Sequence, residues 1–247
     1  MQIIHPSAFY NKNSFWGDLS KIPTDRLFYE DDLLPTGISM LSELLRRDSV
    51  YSINRKTNDK INVTCRGKAI LLTSILKAKG IPSRVRSGFA SYIKDDGNFY
   101  DHWITEYFNG HRWVLVDADM YGSDLGFDLT DIPRDRFLFG AEAYLKIRNN
   151  EINKENIIFA SNPITVGMES AIRGLIYDYF SLMNNEISFL HFPRYFIERD
   201  FVLSIKEYMR LDNLATLLLN PNKNFYKIKN IWDKNPNLRK LYGGLND

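Results

Sequence analysis

The sequence of 247 residues predicts an α+β fold, in which one helix packs on an antiparallel sheet and further helices follow. Three observations support this class. A helix with both ends marked spans residues 65–79, three strand segments follow between 83 and 119, and helical periodicity returns after residue 135. A helix, then a run of strands, then more helices is typical of α+β proteins rather than of alternating α/β folds.

A short amphipathic helix is predicted at residues 36–47, before this core. Four apolar residues recur there at helical spacing and form one stripe: Ile38, Leu41, Leu44 and Leu45. Residues 51–62 are polar and rich in turn-forming types, which predicts a surface connection.

The central helix is predicted from Cys65 to Lys79, with its apolar stripe starting at the cysteine itself. The stripe continues through Ala69, Leu72 and Leu76. Thr64 is the expected N-cap. Gly80 supplies a residue for a left-handed C-terminal turn, and Pro82 prevents the helix from resuming.

Three strand segments follow this helix. Residues 83–93 alternate in the manner of a half-buried strand, and the turn-rich segment 94–98 ends it. Two further strands are predicted at 101–108 and 112–119, joined by a hairpin turn at 109–110. The sheet is therefore expected to be antiparallel.

The second half of the chain predicts helices. They are expected at 137–147, 169–185 and 201–219, and Phe225, Ile228 and Trp232 indicate a docked helix near the end. Since no linker is long enough to separate two domains, we expect a single domain over 1–247. It consists of an N-terminal helical segment (1–60), a core (61–135) and a helical extension (136–247).

Composition limits the class of protein. Apolar residues make up 44% of the chain, and 32 basic against 30 acidic residues give a formal charge of +2. This balance is typical of a globular protein and argues against a nucleic-acid binder, which concentrates cationic charge on one face. The first residues lack a secretory signal pattern, and no stretch reaches the roughly 18 apolar residues of a membrane span. We therefore expect a cytoplasmic protein that contacts no membrane.

Cys65 is the only cysteine, which excludes intrachain disulfides and cysteine-rich metal sites. A cysteine on the apolar stripe of a helix is most often an inert buried residue. In the first turn, however, the positive end of the helix dipole favours the thiolate and lowers the thiol pKa from its free value of about 8.5. Cys65 is thus a candidate nucleophile.

His102 and Asp117 are its candidate partners, because the predicted hairpin brings their strands together. A two-residue loop at 109–110 places His102 opposite Asp117, whereas a four-residue loop at 109–112 places Asp119 there. Both aspartates share the His102 face, since strand side chains alternate. A carboxylate there would orient the imidazole towards a thiolate. Asp117 is our first choice and Asp119 the alternative.

Three blocks around these residues resemble the transglutaminase-like superfamily of papain-fold thiol enzymes. They read TCRGKAILLTSILKAKGIPSRVRSGFA, DHWITEYF and RWVLVDAD. In that superfamily a Cys-x-Gly/Ala helix start precedes a Gly-Ile-Pro-x-Arg-Val strand, a strand with the His, and Trp-x-x-x-Asp. The resemblance implies a papain-like, transglutaminase-like core whose nucleophile helix packs on an antiparallel sheet. It also implies Cys65 as nucleophile, His102 as general base and acid, and Asp117 as orienting carboxylate. The helical second half is similar to the C-terminal extension of a bacterial branch of the superfamily.

The resemblance implies that the thiolate attacks an amide or ester carbonyl and forms an acyl-enzyme, without a cofactor. The substrate would be a peptide or a small-molecule amide or ester. A hydrolase is slightly favoured, because water needs no second binding site; an amide-forming acyl transferase with an amine acceptor is the alternative. A catalytically idle protein-binding module and a helical scaffold with an incidental thiol are the other classes. The oligomeric state stays open.

Two further features have weaker functional interpretations. Residues 117–128 partly imitate a calcium loop, but Tyr121 at position five and a preceding strand argue against it, so no metal is expected. Arg84 and Arg86 could bind an anionic substrate, although such arginines more often form the solvated face of a strand. Glu106 shares the His102 face and is expected to support the site or to pair with Arg112 or Arg55.

Overall fold

The computed structural model describes residues 3–4, 22–52, 55–161, 164–185, 187–189 and 191–242. Its strands are β1 (Ile3–Ile4), β2 (Ile61–Asn62), β3 (Ser83–Ala90), β4 (Phe99–Phe108), β5 (Trp113–Val116), β6 (Phe137–Phe139), β7 (Ile157–Phe159) and β8 (Thr165–Val166). Its α-helices are α1 (Thr24–Leu33), α2 (Gly37–Arg47), α3 (Cys65–Ala78), α4 (Gly140–Arg148), α5 (Met168–Leu182), α6 (Arg194–Ile197), α7 (Ile205–Leu218) and α8 (Pro221–Lys234). The α+β class is confirmed.

The chain divides into two compact units. The first comprises Met1–Val85 and Trp103–Pro133, and the second comprises Arg86–His102 and Arg134–Asp247. Strands β3 and β4 each contribute residues to both units. The expectation of a single domain stays a prediction.

The central helix of the first unit, α3, has the predicted ends. Gly80 has a φ of +76°, and the N–H of Ile81 donates to the Leu76 carbonyl at 3.0 Å, which closes a left-handed C-terminal turn. The helix packs on β4 through Thr105, whose hydroxyl donates to the Ala69 carbonyl at 3.1 Å. The predicted packing of the helix that begins at Cys65 on the sheet is therefore present.

Helix α2 also forms as predicted, with a capping box between Thr36 and Ser39. Its buried face differs from the predicted stripe: Met40 and Leu44 are fully buried, whereas Ile38 is 80% exposed. Gly37 explains this choice of face, because a Cβ there would lie 2.4 Å from the Ser74 Oγ of α3. Because α2 and α3 approach each other closely at Gly37, α2 is oriented with its glycine towards α3.

The remaining predictions for the first unit need two corrections. The surface connection expected at 51–62 is wrong at its end, where Ile61 and Asn62 are buried in β2. The two-residue hairpin loop is also wrong, because Phe108 pairs with Trp113 and leaves a four-residue loop. The Asn109 side chain decides this turn, since its Oδ1 accepts the N–H groups of His111 and Arg112 at 3.0 and 2.9 Å.

The second unit contains strands in the order β6-β3-β4-β7-β8. β6 pairs with β3 antiparallel, β7 with β4 parallel, and β8 with β7 antiparallel. β6 occupies the first three residues of the helix predicted at 137–147, and β7 and β8 lie between the helices predicted at 137–147 and 169–185, where no strand was expected. Such short strands carry too little periodicity to be recognised. The sheet is therefore mixed rather than purely antiparallel.

Helices α4, α5, α7 and α8 confirm the helical second half, and they pack tightly. A Cβ on Gly140 of α4 would lie 2.1 Å from the Gly174 carbonyl oxygen of α5, so the two backbones touch. The predicted terminal helix docks through Ile228, which is 1% exposed, and Trp232, whose ring contacts Phe180 edge-on at 4.9 Å. Of the described helices, none has the length and apolar character that a membrane crossing requires.

Candidate active site

Cys65 is the first residue of α3 and is 8% exposed. Thr64 before it occupies the N-cap position with extended backbone, as predicted. The thiol therefore lies in the first turn, where the backbone N–H groups and the helix dipole favour a negative charge. The apolar stripe and the C-terminal glycine indicate the extent of the helix from the local sequence, whereas its start also depends on a residue of α1.

The carboxylate that holds this helix start comes from α1. Thr64 does not cap the helix with its own hydroxyl; its N–H and Oγ1 donate to Asp31 Oδ1 at 2.9 and 3.2 Å. Burial raises the pKa of Asp31, and the Arg66 charge and the Thr64 hydrogen bonds act in the opposite direction. Sequence reasoning missed Asp31, since nothing in the pattern links it to a helix that begins over thirty residues later.

The glycine of the Cys-x-Gly pattern has a steric role. A Cβ on Gly67 would lie 2.7 Å from the Cβ of Val63 and 3.3 Å from Asp31 Oδ1. The first turn of α3 therefore passes too close to its neighbours for any side chain at this position.

Lys68 forms a buried ion pair near the cysteine. Its Nζ donates to Asp119 Oδ1 at 2.6 Å, and both side chains are at most 5% exposed. Burial lowers the pKa of Lys68, whereas the negative charges of Asp119, Asp117 and Cys65 act to raise it. Sequence reasoning missed Lys68, although its spacing of three residues from Cys65 on one helix face is a usable signal.

Asp117 lies directly after β5 and is fully buried. Its Oδ1 accepts the N–H groups of Asp119 and Met120 at 2.7 and 3.0 Å, and its own N–H donates to the Leu129 carbonyl at 2.9 Å. These bonds fix the orientation of the carboxylate. Because β5 ends at Val116, the β4–β5 ladder reaches neither Asp117 nor Asp119, and the strand-pairing argument does not decide between them.

His102 belongs to the second unit and is 3% exposed in β4. The ring of Tyr92 approaches its imidazole edge-on, with ring centroids 6.1 Å apart. The planes of the two rings are nearly perpendicular, at 86°, so the Tyr92 ring packs against the buried imidazole in a T-shaped contact.

The other candidate side chains serve the fold. Glu106 pairs with Arg84 rather than with Arg112 or Arg55, and the Arg84 guanidinium stacks over the Trp113 ring at 3.9 Å. The solvated face expected for Arg86 is wrong, because it is 1% exposed and pairs with a buried carboxylate of α5. Among the residues that the structure describes, no group of three or more His, Cys, Asp or Glu side chains could hold a metal ion.

A buried cysteine in the first turn of a helix that packs on a sheet is an arrangement in which a thiol can serve as a nucleophile. The family model of the transglutaminase-like superfamily, Transglut_core, matches residues 46–118. This part of the chain is therefore a transglutaminase-like core, and the superfamily predicted from the sequence is confirmed. Members typically carry out cysteine-based acyl transfer or hydrolysis, which indicates an enzyme. Neither the curated proteins nor the solved structures contain a significant match to the chain.

Proposed function

We propose that the protein is a cysteine-dependent acyl-transfer enzyme that opens amide or ester bonds, with Cys65 as nucleophile, His102 as base and acid, and Asp117 as orienting carboxylate. One observation carries the proposal: Cys65 opens a helix inside the segment that matches the transglutaminase-like family model. His102 and Asp117 lie inside the same matched segment and are both buried.

The reaction follows from the chemistry of these groups. His102 takes the thiol proton, and Cys65 Sγ attacks the carbonyl carbon to form a tetrahedral intermediate. The carbon–nitrogen or carbon–oxygen bond to the leaving group then breaks, and His102 returns the proton to that group. Water, activated by the same imidazole, opens the acyl-enzyme and releases the acid.

Asp117 is preferred to Asp119 as the orienting carboxylate. Asp119 accepts the ammonium hydrogen bond of Lys68, so its charge is already compensated. Asp117 Oδ1 is fixed by two backbone N–H groups, which keeps the carboxylate in one orientation. A rigid carboxylate beside an imidazole holds the tautomer that a general base needs.

Hydrolysis is favoured over transfer to an amine, because water needs no binding site of its own. A peptide or small-molecule amide or ester is the proposed substrate, with an amine acceptor in the transferase alternative. Incubation with casein separates the two reactions. New amino termini, or ammonia from glutamine side chains, without incorporation of dansyl-cadaverine indicate hydrolysis, and incorporation indicates transfer.

The nucleophile is tested first by its alkylation, because Cys65 is the only cysteine and intact mass reports on it alone. We expect iodoacetamide to modify the native protein well below pH 7, and His102→Ala to abolish this reactivity. His111→Ala is the matched control, since His111 is exposed, and it should react like the wild type. If the thiol reacts with iodoacetamide only after denaturant is added, the proposal that the protein is a cysteine-dependent enzyme is refuted.

A further inference from the structure

We propose that Lys68 is a positioning residue, whose ammonium charge stabilises the thiolate of Cys65 and is itself held in place by Asp119. This inference rests on the proposed function, in which Cys65 is the nucleophile. It assigns a role to a buried cation that the acyl-transfer steps themselves do not use.

The first argument is the geometry of α3. Lys68 follows Cys65 by three residues, so the two side chains are neighbours on one helix face, with Cβ atoms roughly 5–6 Å apart. Helical side chains tilt towards the N-terminus and cover the preceding turn. Lys68 therefore lies on the same face of α3 as Cys65, one turn after it, and both are buried there. Since both residues are buried, water screens their charges weakly.

The second argument is the anchoring of the ammonium. Lys68 Nζ lies 2.6 Å from Asp119 Oδ1, and the N–H of Asp119 donates to Asp117 Oδ1 at 2.7 Å. The lysine is thus attached to the same loop that carries the proposed orienting carboxylate. The hydrogen bond to Asp119 therefore holds the ammonium group of this flexible four-carbon side chain in one position.

The third argument is that the interaction is mutual. Burial is the main cause that lowers the pKa of Lys68, and the negative charge of Cys65 is among the causes that oppose it. If a thiolate favours the protonated lysine, the protonated lysine must favour the thiolate by the same free energy.

Charged groups other than Lys68 also lie near the first turn of α3. Asp31 accepts hydrogen bonds from Thr64 at the helix start and disfavours a second negative charge there. Arg66 acts in the opposite direction and is held by the Pro35 carbonyl through Nη2 at 2.8 Å. Asp117 and Asp119 add two carboxylates on the side of Lys68. The ammonium of Lys68, which is paired with one of these carboxylates, adds its positive charge to that of the helix dipole.

The test is the pH dependence of Cys65 alkylation in full-length variants. Lys68→Met and Lys68→Gln remove the charge, and Lys68→Arg keeps it. In the two neutral variants we expect the midpoint of the rate profile to move up by about one pH unit, so that alkylation below the midpoint slows about tenfold. Lys77→Met is the control, because Lys77 is an exposed lysine of the same helix. This control and Lys68→Arg should keep the wild-type midpoint.

Lys68→Gln guards against loss of folding, because its amide can still donate to Asp119; circular dichroism verifies each variant. An unchanged midpoint in a folded neutral variant overturns the inference, while the effect of His102→Ala still supports the proposed function. A midpoint that rises as far in Lys68→Arg as in Lys68→Met also overturns it, since the pair would then act by shape alone. A wild-type thiol that is silent in the native protein removes both the inference and the proposed function.

Discussion

A buried ion pair lies in each unit, and the two pairs differ in their cation. In the first unit Lys68 reaches Asp119 through a single hydrogen bond of 2.6 Å. In the second unit Arg86 donates to both oxygens of Asp178, at 2.8 and 2.9 Å, and its guanidinium stacks on the Phe139 ring at 3.6 Å. Both pairs connect a helix of the unit to a strand or to the loop that follows one.

The chemistry of the cation separates their roles. Arginine stays protonated and presents a rigid fork to a carboxylate, so the Arg86–Asp178 pair is a permanent link between β3 and α5. Lysine is a point charge whose pKa burial lowers, so the charge of Lys68 depends on its neighbours. The comparison teaches that a fixed pair suits structure, whereas an adjustable charge suits the surroundings of a reactive thiol.

Arg86→Met should give the largest loss of stability. It leaves Asp178, which is fully buried, without its guanidinium partner, and removal of one member of a buried pair costs about 3–5 kcal/mol. Urea unfolding followed by circular dichroism measures the loss. The double variant Arg86→Met/Asp178→Leu should recover most of it, because no uncompensated charge remains. Equal stability of the single variant and the wild type would contradict the structural role.

The stability losses caused by glycine-to-alanine substitutions allow the packing of the two units to be compared. Gly140→Ala should destabilise the second unit by about 1–3 kcal/mol or more, because the new Cβ would meet the backbone of Gly174, which cannot move aside. Gly37→Ala in the first unit meets the Ser74 hydroxyl, which can rotate, so a smaller loss is expected. Thermal unfolding of both variants tests this order, and a larger loss for Gly37→Ala would contradict it.

The smallest expected effect is an alkaline change in stability that depends on Lys68. The pKa of Lys68 in the folded protein lies below its unfolded value of 10.5. At pH values between these two pKa values, the unfolded chain therefore binds one more proton at Lys68 than the folded protein does. Stability therefore rises with pH there, by about 1.4 kcal/mol per unit of lowered pKa. The free energy of unfolding of the wild type should therefore increase, relative to that of Lys68→Met, as the pH approaches 10.5. The difference for Arg86→Met should stay constant over the same range, and a parallel growth would remove the distinction between the two pairs.

Local patterns predicted much of the first unit. The periodicity of α3, its threonine N-cap position and Gly80 marked both of its ends, and the strand segments around the turns at 94–98 and 109–110 identified β3, β4 and β5. The short strands β7 and β8 could not be predicted in the same way. Two or three residues contain too few alternations to be told apart from an irregular segment, and their pairing with β4 and with each other depends on distant parts of the chain.

The sequence by itself determined the transglutaminase-like core and the position of Cys65 at a helix start, because periodicity, caps and spaced motifs are local properties. Only the tertiary structure decided what surrounds the start of that helix. Asp31 reaches Thr64 from α1, and Lys68 meets Asp119 from the loop after β5. Contacts between residues distant in the chain depend on how elements pack, and charges in such contacts acquire their strength from burial, which no local pattern contains.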